Sequence, residues 1–578
     1  MRYIAKKGIS DYSVLISSHA CEKVRYASLE LKKFLLEATG FEAEIVVERP
    51  ENPVIELIAE NKYDDGFEVT TVGENIVVRG NSERGVVYGV YALCNALFGL
   101  EFFTPEYYSI KKGDLPFRQL NIAVKPDIPA RSLGIAPVYD YIAGERLLPN
   151  ALRMGLMGMA EDWGICSHSY FKILPPAKYK DSHPDWYSAG DDGKNLCLSN
   201  EEMRREFTEN LYRIVLDSPK MKYYMIGQED STTYCNCPEC TRAIKELNGS
   251  FSSMVIQFTN DVIREINARL KKDAPERKVI FIMFAYQQTL NPPVKKVGDG
   301  FESLYRGDIE ENFAVMLAPL NAQSDFSYFD EKNHTSFGKT FYNADGKATR
   351  DILLGWRAIT SKIFFWSYHV DNTDWFIPFD DWDVISENYR AYVKMGVHYL
   401  FEEGSYGKYI PNFNKLRVYV YSRMMWNVNL DPQELINRFM EGYYGSIHVK
   451  VRRYFDFLRE HCLEISKKQG RPMLYVTYDD FDLMSAAKYW PKDVLEKALE
   501  LYNDALSSAT PEEYERFKEE GAPVMYMLLL DYADSLYAER RIQYASFITD
   551  IATRYNYFEN CEAVLIPNFN RIKQMAAI

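Results

Sequence analysis

At roughly 100 to 200 residues per domain, a chain of 578 residues predicts about three folded units and excludes a single small module. With 47% hydrophobic and 26% charged residues the chain has a soluble globular composition, outside the disordered, collagenous and disulfide-dense classes. The 68 Lys plus Arg against 82 Asp plus Glu leave a net charge of −14, which repels polyanions, so neither nucleic acid nor a membrane surface is an expected partner.

Nine cysteines are too few and too odd in number for a secreted disulfide scaffold. The opening MRYIAKKGISDYSVLIS lacks the apolar core of a signal peptide, and no apolar run is long enough to span a bilayer. A cytoplasmic location is therefore expected. The 84 aromatic residues, 15% of the chain, supply flat apolar faces with polar tips, which suit core packing and sugar stacking alike.

In chain order, YSVLIS at 12–17 reads as a short buried strand. The following helix carries Val24, Ala27, Leu29, Leu31, Phe34 and Leu35 near helical spacing and stops at Gly40. EAEIVVE, VIELIAE, DGFEVTTV and ENIVVRG read as strands, and SERGVVYGVYALCNALFG as a helix closed by Gly99. Residues 1–125 thus predict a small α/β sandwich domain.

From Lys125 apolar runs alternate with amphipathic helices: LGIAPV, MGLMGMAEDWG, YYMIGQED, VIFIMFAY, FAVMLAPL, KIFFWSYH and VHYLFEEG. With no Gly-rich dinucleotide loop after any of them, a (β/α)8 TIM barrel over residues 126–432 is expected rather than an open doubly wound sheet. Residues 433–578 read as an α-helical domain by period and by Ala, Leu, Glu and Lys content.

Barrels place their chemistry where strands end and loops begin. YYMIGQED runs from a buried-type strand into Gln228, Glu229 and Asp230. Adjacent carboxylates repel and separate in protonation, as acid catalysis requires; a solvated pair capping the next helix is the alternative. Cys235, Cys237 and Cys240 follow as C-x-C-x-x-C. Three thiols in one loop make a zinc site only with a fourth ligand, for which Cys166, Cys197 and His168 are candidates; reduced loop thiols are the competing reading. VHYLFEEG ends in Glu402 and Glu403, of which strand alternation lets only one face the barrel mouth. Aromatic and His platforms occur at Asp162, Trp163 and His168, at Tyr286 and Gln287, and at Trp366, Tyr368, His369, Asp371 and Trp375. Rings flanked by short polar donors hold a pyranose by stacking below and hydrogen bonding at the edge.

The GQEDSTTYCNCPEC segment, the W-x-Y at Trp366 and Tyr368, the FEEG at 401–404 and the MMWN at 424–427 followed by EGYYG resemble the domain of unknown function 4838, which underlies glycoside hydrolase family 163. FEVTT, NIVVRG, RGVVYGVYAL and EFFTP are similar to the α/β domain that precedes the barrel in α-glucuronidases and β-hexosaminidases. The resemblance implies an endo-β-N-acetylglucosaminidase-like hydrolase of glycans, retaining, in which the substrate's own 2-acetamido oxygen attacks the anomeric carbon. It implies Glu229 as general acid/base, Asp230 as polariser with Gln228 competing, and Glu402 rather than Glu403 as a site residue matching F-E-x-G. Trp163, His168, Gln228, Tyr286, Trp366, Tyr368 and Glu402 are then the expected substrate contacts, an oligosaccharide the expected partner, and no cofactor is required for catalysis. An inverting α-glucuronidase-like hydrolase and a noncatalytic glycan-binding protein are the alternatives.

Overall fold

Alternating buried and exposed positions in Phe67–Val72 and Asn75–Gly80 set up an antiparallel hairpin with one covered face. The hairpin sits in a six-stranded mixed sheet with Asn121–Val124, Val54–Ala59, Ser13–Leu15 and Ile45–Val46. Two helices, Glu22–Thr39 and Glu83–Phe98, pack on it. Val24, Ala27, Leu31, Phe34 and Leu35 form the buried stripe of the first, whereas Leu29 falls outside it and is 58% exposed. Gly40 and Gly99 end the two helices in the left-handed conformation that a side chain would resist. The structure, a computed structural model, describes every residue except 1, 61, 63, 140–147, 159, 321, 323–325, 336–346, 371–373, 406–408, 470–488, 559–564 and 577–578.

The central unit is a curled parallel sheet of Ala130–Gly134, Trp163–Ile165, Tyr223–Met225, Ile280–Ala285, Phe313–Leu317, Ile363–Tyr368 and Val397–Glu403. Each strand from the second onward pairs with the next in sequence, and the last returns to pair with the first. Successive side chains point to opposite faces, so the apolar residues divide into two clusters. Tyr223, Met225, Ile282, Phe284, Phe364, Trp366, Tyr399 and Phe401 fill the interior. Tyr224, Phe281, Met283, Phe365 and Leu400 face the surrounding helices.

The expected eight strands are seven among the described residues. MGLMG at 154–158, read from sequence as part of a strand, lies in the gap between the first strand and Trp163–Ile165 without joining the ladder. Its backbone is taken by other partners. The Gly155 carbonyl accepts from Arg131 Nε and from Trp426 Nε1, both at 2.8 Å, and the Met157 N–H reaches the neighbouring strand at Arg131 O. Gly155 itself has φ 78°, and a Cβ there would lie 2.5 Å from Trp426 Nε1.

After Glu403 the described residues contain helices and no strand, among them Asn414–Trp426, Pro432–Tyr444, His448–Gln469 and Ala522–Tyr532. The last of these is buried almost all round. No described helix is long and apolar enough to cross a membrane.

A buried ion network joins the first sheet to the amino-terminal end of the barrel. Asp65, 1% exposed, receives Arg84 Nε at 3.1 Å and Arg131 Nη1 at 3.4 Å, and Arg84 Nη2 continues to Asp162 at 3.1 Å. The Arg131 guanidinium also lies 4.2 Å from the Trp426 ring. Burial by itself raises the Asp65 carboxyl, but Arg84 and Arg131 outweigh it and hold the group below its usual range. Its contribution to stability is therefore present above the unfolded carboxylate pKa of about 3.9 and is lost as pH falls through the lower folded value. Asp65→Asn leaves two buried guanidiniums undercompensated and is expected to cost about 3–5 kcal/mol, read as a lower urea midpoint at pH 7 that converges on wild type in acid.

Candidate active site

The carboxyl ends of the barrel strands form a mouth floored by rings. The Trp366 ring lies 4.5 Å from Phe401 and 6.3 Å from Phe284, and His168 lies 5.3 Å from Phe284 and 6.0 Å from Tyr286. Tyr286 and Tyr368 belong to the same interior cluster, one just beyond and one at the end of its strand.

The Tyr286 hydroxyl donates to Asp230 Oδ1 at 3.0 Å. Burial, then the charge of Asp230 and more weakly that of Glu403, push the Tyr286 phenol far above its usual value, which keeps it a proton donor. Asp230 is exposed at the mouth, and its second oxygen has no partner among the described residues. Glu229 turns the other way. Its Oε1 accepts from the Phe171 N–H at 2.9 Å, beside Tyr170 in the outer layer, and its own N–H donates to Asn195 Oδ1 at 3.0 Å. The expected neighbouring pair is thus split between two faces of the loop.

Gln228 ties its loop to the one that follows Ile280–Ala285. It is 1% exposed, and its Nε2 donates to Tyr286 O at 3.0 Å and to Thr289 Oγ1 at 2.7 Å, while its Oε1 is buried without a described partner. His168 reaches the mouth and fixes the loop, with Nδ1 2.6 Å from Gln228 O. Trp163 does not reach it. It opens its strand at the amino-terminal end of the barrel, packed 5.3–6.0 Å from Tyr223, Phe364 and Tyr399. Asp162 serves the ion network below, Trp375 is buried in the outer apolar layer, and Asp371 lies outside the described residues.

At the last strand the alternation is decided. Tyr399 and Phe401 face the interior, so Glu403 does as well, accepting from Trp366 Nε1 at the mouth. Glu402, the acid favoured from the F-E-x-G pattern, faces outward and is fully buried beneath the helices. There it contacts His369 Nε2, whose Nδ1 contacts Asp381; Asp381 in turn takes Arg417 and, at 2.5 Å, the Tyr421 hydroxyl. The pattern FEEG carries no phase, so the sequence alone leaves Glu402 and Glu403 open and the resemblance favours Glu402; the inward phase of Tyr399 and Phe401 is what turns Glu403 to the interior.

Burial opposes a charge on His369, but Glu402 and Asp381 overcome it and raise the imidazole to about 9. A raised pKa contributes stability that is full below the unfolded value of about 6.5 and is lost as pH rises through the folded one. The stability difference between wild type and His369→Gln is therefore expected to be constant below pH ~6.5, to shrink between there and the folded value of about 9, and to level off above it, measured by denaturation across pH.

The cysteine loop closes on a fourth thiol. The sulfurs of Cys197, Cys235, Cys237 and Cys240 all lie within 4.8 Å of one another, and neither Cys166 nor His168 belongs to the group.

The family described as a domain of unknown function (DUF4838) matches residues 115–456. No curated protein matches by sequence. Among solved structures, a family GH115 4-O-methyl-α-glucuronidase, BtGH115A, with specificity for decorated arabinogalactans, aligns with a TM-score of 0.57 at 12% identity, over 97% of this chain and 78% of its own. A GH138 enzyme targeting pectin rhamnogalacturonan II aligns at 0.45 and 12% identity over 98% of this chain and 99% of its own. A Flavobacterium johnsoniae chitobiase aligns at 0.41 and 12% over 100% and 96%. The glucuronidase shares the fold of this chain. The family match spans more than half of the sequence, and the chain belongs to the DUF4838 family.

Proposed function

We propose that the chain is a glycoside hydrolase that cleaves β-linked N-acetylglucosamine in glycans with retention, assisted by the substrate's acetamido group. The observation that carries the reading is the convergence of Asp230, Tyr286 and Glu403 over the aromatic floor at the carboxyl end of the barrel. That end is where barrel enzymes hold their reacting groups. The resemblance of the GQED to CPEC segment to glycoside hydrolase family 163 supports the same class, and with it the choice of amino sugar.

The chemistry needs two acids with different tasks. Asp230, oriented by the Tyr286 hydroxyl, accepts the acetamide N–H and turns the carbonyl oxygen toward the anomeric carbon. That oxygen attacks as the glycosidic bond breaks, and a protonated carboxyl delivers its proton to the leaving oxygen. The cyclic intermediate is then opened by water, whose proton returns to the same carboxylate, so the β configuration is kept. We assign the proton transfer to Glu403, which faces the mouth, and leave Glu229 as the tether between the loop and Phe171 N–H. Trp366 and Tyr368 hold the sugar ring beneath.

Glu403→Gln is expected to lower kcat about 10²–10⁴-fold on glycosides with poor leaving groups, and much less on a dinitrophenyl glycoside, which needs no proton. Asp230→Asn should be slow on both. Rescue by the good leaving group in Glu229→Gln instead would return the acid role to Glu229. Glu402→Gln is expected to lower the melting temperature more than it lowers kcat. Release of an α-configured sugar from a β-glycoside, or turnover of α-glucuronides alone in a chromogenic panel, would reject this mechanism for an inverting glucuronidase-like one. Oligosaccharide binding without release of reducing ends would point to a noncatalytic binder.

A further inference from the structure

We infer that Cys197, Cys235, Cys237 and Cys240 form a structural zinc site that fixes the loop carrying Asp230. Zinc held by four thiolates has Zn–S distances of about 2.3 Å, so a regular tetrahedron places the sulfurs about 3.8 Å apart. Cys197 Sγ lies 3.7 Å from both Cys237 Sγ and Cys240 Sγ, and all four sulfurs stay within 4.8 Å of one another. Three of the cysteines are buried and the fourth half-buried, which closes the site to solvent as structural zinc sites require.

Donors are arranged around the sulfurs as they are around metal-bound thiolates. The Ala189 N–H donates to Cys235 Sγ at 3.3 Å and the Cys240 N–H to Cys237 Sγ at 3.4 Å, with Ser199 Oγ 3.1 Å from Cys240 Sγ. The second of these bonds caps the helix Pro238–Glu246, whose Pro238 fixes the turn at its start.

The position of Cys197 gives the site its purpose. Two residues before it, Asn195 accepts from the Glu229 N–H and donates to Thr233 O, both at 3.0 Å, so it spans the segment that contains Asp230. A metal joining Cys197 to the turn at 235–240 would hold both sides of that segment at once. This consequence depends on the hydrolase reading; occupancy of the site by metal does not.

The test is the metal content of the full-length protein purified without chelators. About one zinc per chain is expected, and cobalt(II) introduced in its place should give the visible bands and thiolate charge transfer of a tetrahedral tetrathiolate. Cys197→Ser should lose most of the zinc, whereas His168→Gln should keep it. Zinc removal from the wild type should lower the melting temperature. Folded wild type without zinc and without the cobalt bands would overturn the proposal, as would full zinc retention in Cys197→Ser. If zinc is present but no glycoside is turned over, the metal site stands and the hydrolase reading falls.

Discussion

Everything at the barrel mouth follows from one constraint, the period-two alternation of side chains in strands whose two faces are both buried. Because the interior and the helical layer are separate apolar clusters, shifting a strand by a single residue would exchange them entirely. The phase set by Phe364 and Trp366 puts Ser367 and His369 on the outer side, and the phase set by Tyr399 and Phe401 sends Glu402 to meet them. Glu403 is left at the mouth with Trp366. The direction in which each acid faces is thus set by packing several residues before it.

Past the end of Tyr223–Met225 no ladder holds the chain, and side chains take over the task. Ser169 bonds both the Gly227 N–H and the Met225 carbonyl, His168 meets Gln228 O, and the Ser169 and Tyr170 N–H groups both donate to Gly227 O. From the other side Gln228 Nε2 reaches Tyr286 O and Thr289, while Gln288 Nε2 donates to Thr233 O at 2.6 Å. An irregular buried segment must find such partners for its backbone. The result is a loop whose geometry is fixed on both flanks, which is what a group required to act at one atom of a substrate needs.

Local signals were legible in the sequence and distant ones were not. Gly40 and Gly99 mark helix ends by their own conformational freedom, and VIFIMFAY, KIFFWSYH and VHYLFEEG announce strands by the apolar runs they contain. MGLMGM looked equally apolar, yet Arg131 and Trp426 take its Gly155 carbonyl, and Trp426 stands 271 residues away in the chain. Cys197 is separated from Cys235, Cys237 and Cys240 by 38 to 43 residues for the same reason: convergence in space leaves no spacing to read. The direction of Glu229 was not legible because a carboxylate at a strand end is also a good acceptor for a free helical N–H, and Phe171 supplies one.

The two acidic dipeptides at the mouth share a logic. In each, one carboxylate is bound to the scaffold, Glu229 by Phe171 N–H and Glu402 by His369, and its neighbour turns to the mouth, where Asp230 meets Tyr286 and Glu403 meets Trp366. Burying an acid is costly unless its charge is met, so the bound member is found only where a donor waits. Once met, it fixes the backbone at the next residue and so aims the presented carboxylate. Asp230 and Glu403 gain from this a defined direction, the first toward the Tyr286 hydroxyl and the second toward Trp366 Nε1.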